Sequence, residues 1–186
     1  MARATKKAKS NGSKPMDAIA LLKQDHRLVE ELFAKYEGAR SKDQKHKIAK
    51  QICLELIVHS MIEEEIFYPA CHGEIEDDIL KHAFVEHDGA KLLITELLRG
   101  TPDDDFYDAK VKVLEHEIMH HVHEEEKRSE GMFAQAREAG LDVEALGQEL
   151  MARKQELMRQ FEGSPPMPET RTLRAAGKMR QGHATI

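Results

Sequence analysis

The segments HSMIEEEIFYP, at residues 59–69, and HHVHEEE, at residues 120–126, each place a histidine four residues before a glutamate. Four residues is about one helical turn, so the histidine and the glutamate project from the same face of a helix. Pairs of the form His-x-x-x-Glu occur six times in the chain, so the motif alone decides nothing. The pairs that matter are those that continue an apolar stripe.

Apolar residues recur at alternating steps of three and four along five segments, which predicts five helices. They span about residues 15–37, 42–68, 77–98, 105–139 and 143–161. No strand pattern is visible. We therefore predict an all-α protein, an up-down four-helix bundle with an additional C-terminal helix and disordered tails. The expected divisions are a basic tail at 1–15, the bundle at 16–139, the additional amphipathic helix at 141–162 and a Pro-containing basic tail at 163–186.

Composition places the chain among soluble helical proteins. It has 186 residues, of which 40% are apolar and 33% charged, and no apolar run approaches the roughly 18–20 residues of a membrane span. The N-terminus has basic residues but no apolar stretch behind them, so it does not read as a secretory signal. Cys53 and Cys71 are the only cysteines, which favours a reducing compartment and a cytoplasmic location.

Charge is unevenly spread along the sequence. Residues 1–15 carry five basic groups and no acid, and residues 163–186 carry four basic groups and one acid, so the part between them is strongly acidic. An acidic body disfavours a nucleic-acid-binding domain. Both tails are poor in apolar residues, so solubilising disorder is the favoured interpretation of them.

Six polar residues continue the apolar stripes of four predicted helices, and we predict that they bind metal. They are His26, His59, Glu63, His87, His121 and Glu125. An ionised carboxylate or an imidazole facing a core is costly unless it is paired or binds a metal. A lone core histidine is more often a hydrogen-bonded structural residue, but six such groups are hard to satisfy without a cation. The acidic runs at 63–65 and 124–126 are otherwise expected to be solvated, with one glutamate of each facing inward.

Four imidazoles and two carboxylates suit iron, manganese or zinc better than magnesium or calcium. Two carboxylates are enough to bridge a pair of metals, and six side chains leave coordination positions open for water or a diatomic ligand. A ferritin-type site is not favoured, because it needs two Glu-x-x-His motifs and the chain has one, Glu117/His120, which lies off the stripe. A structural zinc site is not favoured either, because the two cysteines are not suitably spaced.

These residues resemble the hemerythrin-like family, also called the HHE cation-binding domain. The matching segments are LLKQDH ending at His26, HSMIEEEIFYP at 59–69, VEHDGAKLL containing His87, and HHVHEEE at 120–126. The resemblance covers about residues 16–139. It implies a four-helix bundle with a non-haem centre of two iron ions, and O2, nitric oxide or peroxide as the small partner.

The sequence departs from the oxygen-carrying members of that family in two places. They have two histidines one turn apart on the third helix, whereas Lys91 follows His87 here and Ala83 precedes it. This implies a more open centre, in which water, Glu55 or Glu117 takes the missing place. The aromatic residue after the second motif, Phe133, comes about one turn late, which predicts a longer fourth helix.

Three functions remain open, and the sequence does not decide whether the protein is an enzyme. The first is a di-iron protein that binds O2 or a related ligand for oxygen or iron sensing or storage. The second is a di-iron enzyme that detoxifies peroxide or nitric oxide. The third is a metal-free or zinc-bound interaction bundle. A protein partner or a homo-oligomer is expected to use the C-terminal helix.

Overall fold

A computed structural model describes residues 16–173, and all regular structure in that range is helical. The elements are α1 (Ala18–Glu37), α2 (Lys42–Ile62), a π turn (Glu63–Phe67), α3 (Tyr68–Cys71), α4 (Asp77–Arg99), α5 (Tyr107–Glu126), α6 (Met132–Glu138) and α7 (Val143–Gln160). The predicted tail at 1–15 and the end of the other tail, 174–186, lie outside the described residues. None of the described helices is both long and apolar enough to cross a membrane.

Four long helices form the bundle. Helix α1 packs against α2, α2 against α4, α4 against α5, and α5 back against α1. The connection from α1 to α2, residues 38–41, is short, and such connections join antiparallel neighbours. The predicted all-α, up-down four-helix bundle with an additional C-terminal helix is confirmed.

The fourth bundle helix ends earlier than the sequence predicts. The prediction is one helix over 105–139, but α5 ends at Glu126 and α6 begins at Met132. The tight turn between them requires glycine at position 131, because a Cβ on Gly131 would lie 2.6 Å from the carbonyl oxygen of Glu125. The longer fourth helix is therefore wrong. The tight turn instead returns Phe133 to the core, where it is buried.

Helix α7 packs on the outside of the bundle against α1, α2 and the π turn. Asp142 caps its N-terminus by accepting a hydrogen bond from the amide of Ala145 at 3.0 Å. Leu150 and Leu157 on its inner face are fully buried. Since this apolar face is occupied within the chain, a partner that used α7, as the sequence predicts, would meet its outer face.

A polar layer divides the core into two apolar clusters. In α1, Leu22 belongs to one cluster and Val29 to the other, with His26 between them. In α4 the division falls at His87. The layer therefore lies within the bundle, with apolar side chains on both sides of it.

We expect Gly147→Ala to destabilise the protein by about 1–3 kcal/mol, the usual cost of overpacking. A Cβ at Gly147 would lie 2.4 Å from the carbonyl oxygen of Met16 and 2.8 Å from the amide nitrogen of Ala18, so α7 would have to move away from α1. Urea unfolding measures the change. Gly38→Ala is the control, because its nearest atoms are 3.7 Å away and its φ is −76°. Equal unfolding free energies for the two variants would contradict the proposed close approach.

Candidate metal centre

The structure brings all six predicted residues together inside the bundle, and all six are buried. Their ligand atoms form two groups, each with all its atoms within 4.8 Å of one another. The first group is His26, His59, Glu63 and Glu125, and the second is Glu63, His87 and His121. We call these six side chains the inner residues. Glu63 belongs to both groups, so the groups adjoin.

The four histidines face one another in two pairs. The Nε2 atoms of His26 and His59 are 3.2 Å apart, and those of His87 and His121 are also 3.2 Å apart. Each pair takes one histidine from each of two neighbouring helices. Two nitrogen-donor pairs thus lie within one polar layer.

Each inner carboxylate lies between one histidine of each pair. The distances to Nε2 atoms are 3.2 Å from Glu63 Oε2 to His59, 3.4 Å from Glu63 Oε2 to His87, 3.4 Å from Glu125 Oε2 to His26 and 3.5 Å from Glu125 Oε1 to His121. This is the arrangement that carboxylates need in order to bridge two cations held by the histidine pairs.

Glu63 lies in this layer at the end of α2, where its amide donates to the carbonyl of His59 one helical turn back, and a π turn follows it. The amide of Tyr68 donates to the carbonyl of Glu63, five residues back, and single π turns of this kind are frequent at functional sites. The wide turn buries both Glu63 and Glu64. The expectation that one glutamate of the 63–65 run faces inward is therefore wrong, because it assumed a regular helix.

The outward nitrogen of every inner histidine faces a carboxylate that the sequence analysis missed. Three of these contacts are hydrogen bonds from Nδ1, between His26 and Glu126 at 2.9 Å, His87 and Glu64 at 3.0 Å, and His121 and Glu86 at 2.9 Å. The fourth is looser, because His59 Nδ1 lies 3.6 Å from Asp25 Oδ2 and neither atom has a hydrogen-bond partner. A carboxylate on the far nitrogen fixes the tautomer and orientation of a metal-binding histidine and makes it a stronger donor. Asp25, Glu64, Glu86 and Glu126 are called the outer carboxylates below.

The outer carboxylates close a ring around the bundle. Each is the chain neighbour of an inner residue, and each serves a histidine of a different helix. Asp25 of α1 contacts α2, Glu64 of the π turn contacts α4, Glu86 of α4 contacts α5, and Glu126 of α5 contacts α1. Four of the six inner residues have an acidic chain neighbour, whereas His59 and His121 do not, so the signal in the sequence was only partial.

Two carboxylate oxygens test whether the layer fits a cation. Glu63 Oε1 and Glu125 Oε2 are buried without a hydrogen-bond partner, which is costly for a carboxylate. Burial opposes ionisation of Glu63, but His59 and His87 outweigh it and hold its pKa well below the usual range. A cation between the histidine pairs would satisfy both oxygens, so the residues present fit a metal.

Tyr68 also reaches the layer. Its hydroxyl lies 3.1 Å from Glu125 Oε1, 3.4 Å from Glu63 Oε2 and 3.3 Å from His87 Nε2. Burial, followed by the charge of Glu125, raises the pKa of Tyr68 well above its ordinary value, so the phenol keeps its proton. Tyr36, by contrast, donates to Asp108 and does not reach the layer.

The place of a further third-helix ligand is taken by Lys91, which is buried and donates to Glu64 Oε1 at 2.6 Å. Neither Glu55 nor Glu117 belongs to the metal-capable groups of the described residues. Glu55 accepts from the side chain of Gln51 at 2.6 Å. The structure therefore supplies neither as a replacement ligand.

A small cavity of about 20 Å³ adjoins the inner histidines, which is room for about one water-sized molecule. Its remaining wall is mostly apolar and includes Val29, Leu56, Ala90, Ile94, Ile118 and Val122. A wider pocket of about 400 Å³ is also lined by His121 and Glu125.

Two comparisons with known proteins give a match. The family model of the hemerythrin HHE cation binding domain matches residues 17–133. A crystal structure of a hemerythrin HHE cation binding domain-containing protein from Mycobacterium kansasii is similar, with a TM-score of 0.66 and 21% identity over 77% of this chain and 88% of that chain. At that identity the likeness shows the fold alone. No curated protein gives a significant match.

We expect Glu125→Gln to reduce the stability that a divalent cation gives the folded protein. A site at 100 times its Kd contributes about 2.7 kcal/mol, and the amide removes one charge and one donor oxygen. Urea unfolding with and without Zn²⁺ measures the increment. Glu124→Gln is the matched control, because Glu124 points away from the layer and its side chain is 42% exposed. Equal zinc increments in the two variants would show that Glu125 does not bind the ion.

We also expect metal binding to release protons. Burial favours the neutral imidazole, but Glu63 and Asp25 raise the pKa of His59 to about 10, and Glu63 and Glu64 raise that of His87 to about 9. Both rings therefore hold an extra proton at pH 7 in the metal-free protein, and a metal must displace it. About two protons should leave per chain, and affinity should rise roughly 100-fold per pH unit near neutrality. Calorimetry in buffers of different ionisation enthalpy counts them; zero released protons would refute the charged state.

Proposed function

Because the chain belongs to the family of hemerythrin HHE cation-binding domains, we propose that it is a non-haem di-iron protein that binds O2 or a related small ligand, for oxygen or iron sensing or storage. The observation that carries the proposal is the pair of buried carboxylates, Glu63 and Glu125, each lying between two histidine pairs. Such a set offers bridging oxygens and terminal nitrogens to two ions.

The inner residues divide naturally between two ions. His26 and His59 would hold one, His87 and His121 the other, and both carboxylates would be shared. Four imidazoles with two carboxylates suit iron, with manganese and zinc also accommodated. Two iron ions would supply Lewis acidity and electrons to a small ligand. Six side chains would not fill all the coordination positions of two ions, so positions would remain for that ligand.

The surrounding residues prepare the site for such chemistry. The outer carboxylates hold the imidazoles in one orientation, and the apolar wall of the small cavity limits access of water, which also sets the local dielectric. Lys91 keeps its ammonium group on Glu64, so it leaves the coordination position next to His87 open. The small cavity beside the histidines has room for a ligand of about the size of a water molecule.

A second candidate is an enzyme that detoxifies peroxide or nitric oxide at the same centre. The observation that favours it is Tyr68, whose protonated hydroxyl lies among the inner residues. A general acid must be within hydrogen-bond reach of the reacting atoms, and this phenol is the group placed to donate. Turnover therefore separates the two candidates.

The first experiment is to measure the iron content of protein reconstituted anaerobically with Fe²⁺, with absorbance recorded before and after O2 and azide. About two irons per chain and ligand-dependent bands are expected. His121→Ala should lose them, while His123→Ala, an exposed position on the same helix, should retain them. Steady consumption of peroxide or nitric oxide would favour the enzyme. Absence of iron in the reconstituted protein would overturn both iron proposals and leave a zinc-bound or metal-free bundle.

A further inference from the structure

Three of the four outer carboxylates also contact lysine or arginine side chains. Asp25 contacts Lys154, Glu64 contacts Lys91 and Arg171, and Glu126 contacts Arg27 and Lys23. Within residues 16–173, Glu86 has no lysine or arginine contact of this kind. Lys154 and Arg171 lie beyond residue 133, outside the part of the chain that the family model matches.

Arg171 belongs to a segment, residues 164–173, that lies against the bundle; we call it the strap. Asp88, which is fully buried, anchors the strap by accepting hydrogen bonds from its backbone. The amides of Arg171 and Leu173 donate to this carboxylate at 3.0 and 2.9 Å, and the hydroxyl of Thr172 donates at 2.7 Å. The anchor is specific, because it satisfies successive backbone groups with one buried charge.

The strap places a positive charge near the inner residues, with Glu64 between Arg171 and His87. Arg171 Nε lies 2.8 Å from Glu64 Oε2, and Glu64 Oε1 lies 3.0 Å from His87 Nδ1. The guanidinium also lies 5.8 Å from the ring centroid of Phe84, which restricts its position. On the other side of the bundle, Lys154 of α7 contacts Asp25, and Asp25 faces His59.

We propose that Arg171 and Lys154 are positioning residues of the metal centre, through which the C-terminal part of this chain sets the orientation of His87 and His59 and the reduction potential of the bound ions. The inference rests on the proposed function, since it requires a redox metal between the histidine pairs. Neither cation touches an inner residue; each acts through one outer carboxylate.

The sign of the effect follows from electrostatics. An outer carboxylate without a cation places its full negative charge beside the histidine, which stabilises the more oxidised ion. Arg171 offsets that charge on Glu64 and so raises the reduction potential. Glu86 has no such cation among the described residues, so His121 faces the less neutralised carboxylate and the two ions should be inequivalent.

The coupling must also run in the opposite direction. If docking of the strap raises the reduction potential, reduction of the centre must tighten docking of the strap by the same free energy. Reduction adds negative charge to the layer, which attracts the guanidinium of Arg171. The strap therefore reports the redox state of the buried centre at the protein surface, where its arginine is half exposed.

The test compares Arg171→Gln, Arg171→Lys and Lys154→Gln with the control Arg153→Gln in the full chain. Arg153 is a matched control, because it pairs at 2.7 Å with Glu65, the neighbour of Glu64, and that pair does not contact an inner residue. Two readouts are used: the midpoint potential of the iron-loaded protein and the ligand-field absorption of the protein loaded with Co²⁺ alone.

The expected result is a lower midpoint potential and an altered Co²⁺ spectrum for Arg171→Gln and Lys154→Gln. Arg171→Lys should partly restore the values found in the unsubstituted protein, and Arg153→Gln should leave both unchanged. Potentials and spectra that are the same in all variants would overturn the inference while leaving the centre itself intact. Failure of the unsubstituted protein to bind either metal would instead overturn the proposed function.

Discussion

Burial of two carboxylates and four imidazoles in the same layer of an apolar core is the constraint on which the rest of the structure depends. Desolvating these groups is costly, and the chain offsets the cost by surrounding them with groups of opposite charge. The imidazoles contact the inner carboxylates with Nε2 and the outer carboxylates with Nδ1. Three of the four outer carboxylates in turn contact lysine or arginine side chains. Glu63 Oε1 and Glu125 Oε2, which accept no hydrogen bond, mark the space where a cation would complete the layer.

The molecule therefore has two parts, one that carries the inner residues and one that changes the charge around them. The part that matches the family model carries all six inner residues and the ring of outer carboxylates. The later part, α7 and the strap, adds no inner residue but covers two sides of the layer. A bundle with the same inner set and a different C-terminal part would hold the same ions in a different electrostatic environment. Differences of that kind are one way for a single fold to serve binding, sensing or catalysis.

Much of this architecture could be predicted from the sequence, because apolar periodicity identifies a helix face directly. The stripes through His26, His59, His87 and His121 predicted both the bundle and the residues that the structure brings together. The π turn at Glu63 could not be predicted, since a period of 3.6 residues assumes a regular helix. Gly131 is a visible signal for the break after α5, because glycine weakens a helix interior.

The contacts of the outer carboxylates with histidines and cations could not be predicted from the sequence, for a different reason. Glu64 and Glu126 lie in acidic runs, which are usually solvated, and nothing local distinguishes a charge that faces another helix. Arg171 meets Glu64 across 107 residues of chain. Contacts of that separation depend on the assembled fold and have no periodic signature.

The π turn also shapes how this protein can change over evolutionary time. The amide of Tyr68 bonds to the carbonyl of Glu63 five residues back, one residue more than in an α-helix. Deleting one residue between them would restore an ordinary helical turn and leave Tyr68 and the fully buried Cys71 on the faces they occupy now. Deleting one residue between His59 and Glu63 would instead rotate everything beyond it by about 100°. Changes of length should therefore be tolerated within the π turn and not in the helix that precedes it.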